Sequence, residues 1–477
     1  MTVRLLDWRL RGALVKARVP FRFGIAEMTE LVHAFLFVTL EVDGSRQLGV
    51  AAENLAPKWF TKNPETTYRE DAAEMVGVIE AACAAAERAG SKDSVFDLWL
   101  EVQRAHAELA AAPLLAGFGA SMIERAAIDA FCRATQVPFA RAVRTNTLGI
   151  RLGSLHAELA GREASELLPA LPLARLRVRH TVGLGDPLAL GDEGGQAPAD
   201  GLPASLEGWV RQYRLERFKV KVSGERRFDL DRLARVREVL DEAAGSDYRI
   251  TLDANEQFAD LAALRTFWEA LVAAEGTTEF AGRVDYVEQP LPRSLALGSD
   301  TSEQLAAWPE RPLLIIDESD DSPDAVARAL EIGYDGGSFK SCKGVFKGIG
   351  NACLLEQRRR DDPGKRLLYS AEDLSTIGPV ELLADLAVIA TLGIDEPERN
   401  GYHYLGDITS LPQRADEETL RAHGDLFSPR PDGRAALRIE EGRVALESVV
   451  AAPFGVGWQC DFEDDLPGID SVVAGLA

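Results

Sequence analysis

Apolar and polar residues alternate along RLLDWRLRGALVKARV (4–19) and HAFLFVTLEVDG (33–44). That two-residue period predicts half-buried strands, the second ending at a turn-like Asp-Gly pair. Residues 67–90 and 97–112 are rich in Ala and Glu and predict helices, as does ASMIERAAIDAFCRAT over 120–135. Strands followed by helices, without regular alternation, make an α+β domain that ends near residue 145. The pattern then changes. Short apolar runs recur, each followed by a helical stretch: LRVRH (176–180), FKVKV (218–222), RITLD (249–253), VDYVE (284–288), LLIID (313–317), GGSFK (336–340), RLLYS (366–370) and the weaker RNGYHYL (399–405). After the second run, Leu230, Leu233, Val236, Val239 and Leu240 recur at helical spacing. Eight strand–helix units over roughly 250 residues predict an α/β fold, a modified TIM (β/α)8 barrel. An open doubly wound sheet would not need eight. The chain thus divides into an α+β domain over 1–145, a barrel over 146–425 and a C-terminal segment over 426–477. Within the first unit, the Gly-, Pro- and Asp-rich stretch 183–203 reads as an excursion over the barrel mouth or away from it. The tail is strand-like in GRVALESVV (442–450).

Composition narrows the function classes. The 477 residues are 46% apolar and 27% charged, which suits a packed globular protein. A formal net charge of −23 removes the electrostatic footprint expected for nucleic acid or an anionic membrane. No apolar stretch reaches the roughly 18 residues of a membrane span. Near the N-terminus, Arg, Asp or Lys breaks every short apolar run, so no signal-peptide core is expected. The five cysteines have no CxxC spacing and read as free thiols in a reducing cytoplasm. Neither GxGxxG after a strand nor GxxxxGK[ST] occurs, which leaves no dinucleotide or P-loop site.

Three of the runs end in a carboxylate: Asp253, Glu288 and Asp317. An unpaired acid at the end of a dry strand is costly. In a closed barrel, neighbouring strand ends converge on one mouth, and three acids there repel one another unless a cation lies between them. An all-oxygen site suits Mg2+, with Mn2+ as the other candidate. In the bland alternative, each acid caps a helix or pairs with a nearby lysine. Lys219 and Lys221 share one strand face. Lys340 ends the sixth run, across the barrel axis, and Lys343 follows it. Such lysines make either a charge-balancing network or a proton donor and acceptor on opposite faces of one substrate. A buried lysine beside other cations has its pKa pushed down and can act as a base.

In chain order, KVK (219–221), DAN (253–255), VEQP (287–290), IDES (316–319) and SFKSCKG (338–344) resemble the enolase superfamily. Within it they resemble the muconate lactonizing enzyme-like subgroup of the mandelate racemase/muconate lactonizing enzyme family. The gaps between them each fit one strand–helix unit. ERAAIDAFCRATQVPF (124–139) is similar to the last helix of the family's capping domain, and APFGVGWQCDFEDD (452–465) to the C-terminal segment that returns to it. The resemblance implies an N-terminal α+β capping domain and a shared partial reaction. A base removes the proton α to a substrate carboxylate, and Mg2+ stabilises the resulting enediolate. It implies Asp253, Glu288 and Asp317 as metal ligands and Lys221 and Lys340 as the acid–base pair. Lys219 would sit behind Lys221, lower its pKa and face the developing oxyanion. Asn255, Glu318 and Lys343 would support these groups. It also implies a homo-oligomer, a dimer or an octamer.

Other branches lose their markers. No histidine lies between Lys340 and Glu381, so the racemase His–Asp dyad has no candidate, and RNGYHYLGD (399–407) lacks the Asp-x-Asp of dipeptide epimerases. The strand-seven loop, YSAEDLSTIG, offers Glu372 or Asp373 to a substrate, with Glu372 preferred. PFRFGIAEMTE (20–30) and LAPKWFTKNPE (55–65) fall where the family places its specificity loops. Phe21, Phe23, Trp59 and Phe60 would wall an apolar part of the substrate, and Lys58 or Lys62 would meet an anion. His403 would contact substrate at the mouth of strand eight. The expected enzyme is a cytoplasmic racemase or epimerase of a small carboxylate. Cycloisomerisation or dehydration through the same enediolate is the alternative. A Schiff-base lysine aldolase and a non-catalytic binding protein on the barrel are the rivals of other classes.

Overall fold

The computed structural model describes residues 1–24, 26–194, 198, 200–274, 278–406 and 411–476, with the side chains of residues 23 and 26 outside that description. Three antiparallel strands, Val3–Phe23, Ala26–Val42 and Ser45–Asn54, form an N-terminal sheet. The first two were legible in the alternation. The third, SRQLGVAAEN, was not, because it opens with polar residues and carries a glycine. That glycine is required by close approach: a Cβ on Gly49 would stand 2.2 Å from the Ala126 carbonyl oxygen. Here the strand lies against helix Pro113–Thr135. Gly49→Ala should therefore cost about 1–3 kcal/mol by overpacking, read as a lower midpoint in thermal unfolding.

The cap helices follow the sequence with shifted ends. Tyr68–Ala89 begins at a capping box between Thr67 and Glu70. Val95–His106 stops short of the expected 112, and the next helix opens with Pro113 at its first turn, ahead of the expected 120. Proline suits a first helical turn and disfavours helix in the residue before it.

Eight parallel strands then form a nearly closed barrel. They are Arg179–Val182, Arg217–Lys221, Arg249–Asp253, Val284–Glu288, Leu314–Ile316, Gly336–Phe339, Leu368–Ala371 and Glu398–Arg399. Strand eight pairs with strand one, and among the described residues no ladder joins strands seven and eight. Side-chain-to-backbone bonds bridge that seam: Asp373 N donates to Glu398 Oε2 at 3.0 Å, and Asn400 N to Asp373 Oδ2 at 2.6 Å. The eighth run is thus shorter than expected. After Arg399 the chain turns into a short helix, Gly401–Tyr404, so His403 lies on a helix and not on a strand.

The C-terminal segment begins on the barrel side, where Arg443–Ala445 pairs with Arg175–Arg177. GRVALESVV is a strand only in its first part; Glu447–Ala451 is helical. The segment then reaches the cap. Arg133 donates to the carbonyls of Trp458 and Val456, and Phe462 packs edge-on against Phe35 and Phe37. No helix among the described residues is long and apolar enough to cross a membrane.

Candidate active site

Register brings the motif residues to one level. Lys221 is opposite Asp253, and Asp253 is opposite Glu288 on the next strand. Lys219, fully buried, lies at the centre. Its Nζ is 2.9 Å from Asp253 Oδ2, 2.9 Å from Glu288 Oε2, 2.7 Å from Glu372 Oε2 and 2.8 Å from Glu398 Oε2. Lys221 Nζ bonds Asp253 Oδ2 at 2.5 Å and Asn255 Oδ1 at 2.9 Å. Across the mouth, Lys340 Nζ bonds Asp317 Oδ2 at 2.5 Å, and Lys343 Nζ bonds Asp317 Oδ1 at 3.0 Å. Asn255 Nδ2 reaches Glu318 Oε1 at 3.1 Å. Ten polar residues singled out in the sequence, Glu372 among them, thus meet in one cluster together with Glu398.

The electrostatics correct one expectation. Burial works against the Lys219 charge, but Asp253, Glu288, Glu372 and Glu398 raise its pKa well above the ordinary lysine value. Burial likewise opposes the charge on Lys340, and Asp317 outweighs it, so Lys340 is raised rather than lowered. Carboxylates, more numerous here than cations, outweigh the repulsion that Lys219 exerts on Lys340. On the acid side, burial alone would lift Asp317, yet Lys340 and Lys343 hold it well below the usual carboxylate range. Glu288 goes the other way. Burial, then the charges of Asp253 and Glu372, pushes it well above that range.

The acids present now pair with lysines, and among the described residues no three His, Cys, Asp or Glu groups surround a common point at metal-binding distance. The donor set nevertheless fits a hard divalent ion. It is all carboxylate, without sulfur or imidazole. Glu288 Oε2 is buried and makes no hydrogen bond despite its nearness to Lys219, and Glu318 Oε2 is buried without a hydrogen bond as well. Too many buried acids for the cations present is the arrangement that a divalent ion relieves.

A small cavity, about 20 Å3, lies between the lysines. Lys221, Lys340, Asn255 and Asp373 line it together with Phe21 and Trp59. Lys221 Nζ is 6.0 Å from the Phe21 ring centroid, and Lys340 Nζ is 4.3 Å from that of Trp59. Each candidate base thus has its own aromatic wall. Residues 20–30 are not the loop expected: strands run to Phe23 and from Ala26. The Phe23 side chain lies outside the described residues. Phe60 packs on Phe118 in the cap core, away from the cavity. Lys58 turns onto Asp71 and Thr66, whereas Lys62 bonds the Asn255 carbonyl at 2.7 Å.

Solved structures share this architecture. A muconate lactonizing enzyme from Mycobacterium smegmatis, complexed with muconolactone, matches with a TM-score of 0.61 at 17% identity, over 97% of this chain and 98% of the other. The chain has the muconate lactonizing enzyme fold. An enolase from Bradyrhizobium, complexed with magnesium and mandelic acid, matches at 0.59 and 15% over 99% and 98% of the two chains. A dipeptide epimerase from Enterococcus faecalis, complexed with Mg and L-Leu-L-Tyr, matches at 0.57 and 14% over 93% and 100%. No family model and no curated protein matches the chain.

In this version of the muconate lactonizing enzyme fold, Glu372 is not open to a substrate. Its Oε1 accepts from Arg179 at 2.7 Å, from Tyr286 at 3.2 Å and from Ser370, and its Oε2 from Lys219. Asp373, the alternative, lines the cavity but spends its oxygens on backbone N–H groups of Thr376 and Asn400. Glu372→Gln should therefore lower stability by about 1–3 kcal/mol in urea titration and leave KM nearly unchanged. A substrate contact would show the reverse. Arg179 and Glu398 escaped the sequence reading, although each is a buried charge opening a parallel strand, where a partner is obligatory.

Proposed function

We propose that this chain is an enolase-superfamily enzyme that moves the proton α to the carboxylate of a small substrate, most simply as a racemase or epimerase. One observation carries the reading: Lys221 and Lys340, from strands two and six, line a single cavity beside the strand-end acids. Asp253, Glu288 and Asp317 would hold a Mg2+ ion, which when bound supplies electrostatic stabilisation for charge developing on the substrate's carboxylate oxygens. Lys221 and Lys340 approach the α-carbon from opposite faces, one removing its proton and the other returning one. Lys219 keeps the acids ordered from below. Phe21 and Trp59 exclude water beside each ammonium group. A Schiff-base aldolase would need none of the three acids.

A Mg2+-supplemented screen of acid sugars, N-acyl amino acids, dipeptides and hydroxyproline betaines in D2O tests this directly, because α-exchange is visible even where net turnover is slow. Magnesium should also raise the thermal midpoint of the wild type. Asp253→Asn should lose that rise together with activity. Lost activity with the rise intact would remove Asp253 from the ligand set.

A further inference from the structure

A second cavity, about 290 Å3, adjoins the first and is large enough for a ligand group. Barrel strand one, residues 185–187, 192, 193, 204 and 206, the cap strand at 18–22 and helix Gly401–Tyr404 enclose it. The described part of the stretch 183–203 thus lies over the barrel mouth and not away from it, with residues 195–197 and 199 outside the described residues. It is tied to the cap by Arg18, which donates to Asp200 and to the Leu202 carbonyl. A stacked pair, Phe21 on Tyr404 with centroids 4.0 Å apart, separates the two spaces. Phe21 faces the small cavity and Tyr404 the large one. Tyr404 is held in place by Asp186, which accepts its hydroxyl at 2.6 Å, and Gly183 leaves that hydroxyl room, since a Cβ there would stand 2.6 Å from its oxygen.

One wall of the large cavity is aromatic, built from Trp209, Tyr404 and His403, while Arg18, Arg22, Asp192 and Glu193 stand elsewhere on its lining. His403 is 3% exposed, yet neither ring nitrogen has a hydrogen-bond partner among the described residues. Its ring packs at a tilt against His180, with centroids 4.3 Å apart, and against Tyr404 at 3.9 Å. A buried imidazole left in this way costs free energy until a ligand supplies the bond. Burial, then His180 and Arg18, lowers its pKa far below the ordinary value, so near neutral pH it has one acceptor nitrogen.

We propose that this cavity receives the far end of the substrate, an uncharged aromatic group with a hydroxyl that donates to His403. The assignment deepens the proposed function and rests on it, since the tail must enter past the Phe21–Tyr404 stack. The small cavity alone has room for about one water, so a substrate of any size moves that stack.

Titration calorimetry with p-cresol and toluene, neither of which carries a carboxylate, tests the cavity apart from the reaction. p-Cresol should bind the wild type at one site, about tenfold more tightly than toluene. His403→Phe should abolish the preference. Ala204→Trp, which fills the cavity from the covering stretch without touching the barrel, should abolish binding of both. Lys221→Ala should bind p-cresol as the wild type does. No binding to the wild type, a preference that survives in His403→Phe, or binding that survives in Ala204→Trp would each overturn the site. In α-exchange assays p-cresol should compete with the carboxylate, and exchange unaffected by saturating p-cresol would overturn the tail assignment. If no carboxylate exchanges while p-cresol binds as described, the proposed reaction fails and the cavity stands as a phenol site.

Discussion

Lys219→Met should destabilise the protein by about 3–5 kcal/mol at neutral pH, because it leaves several buried carboxylates without their common partner. Among the described residues, no other cation touches all four of Asp253, Glu288, Glu372 and Glu398. The pH dependence gives the sign. Burial would raise Glu398, but Lys219, followed by Lys221 and Lys340, holds it well below the ordinary range. A carboxyl depressed in the folded state contributes stability that is present above its unfolded pKa, about 4.3 for Glu, and lost as pH falls through the folded value. In Lys219→Met that contribution disappears, so the gap between variant and wild type should be widest near pH 7 and narrow toward pH 4. Urea titrations at the two pH values measure it. A gap that widens in acid would show that Lys219 does not hold these acids ionised.

Lys340→Ala and Lys221→Ala should each lower net turnover by about 10²–10⁴-fold, the usual effect of losing an acid–base group. Neither change should unfold the protein, since Asp317 keeps Lys343 and Asp253 keeps Lys219. The loss should fall on kcat, because proton transfer is confined to the transition state. Near-normal turnover in Lys340→Ala would leave a one-base elimination or cycloisomerisation, with Lys340 reduced to a steadying cation.

The elements that alternate cleanly were legible to the residue: RITLD and VDYVE are the strands Arg249–Asp253 and Val284–Glu288. That Asp253, Glu288, Asp317, Lys221 and Lys340 come together at one end of the barrel was legible for the same reason, since a charge closing an apolar run has few readings. Partners distant in sequence were not. Arg179 meets Glu372 across 193 positions, and Lys219 meets Glu398 across 179, and no local period encodes such contacts. Glu372 lies deeper than its place after strand seven suggests, because Arg179 and Lys219 draw it into the barrel. RNGYHYL read as a strand because its aromatics favour one, but the chain leaves the barrel after Arg399.

The facing lysines are tested most directly by α-proton exchange in D2O, followed by proton NMR on each enantiomer of a turned-over substrate separately. Lys221→Ala should exchange only one enantiomer and Lys340→Ala only the other, both without inversion. Exchange of the same enantiomer by both variants would contradict the opposed placement of Lys221 and Lys340.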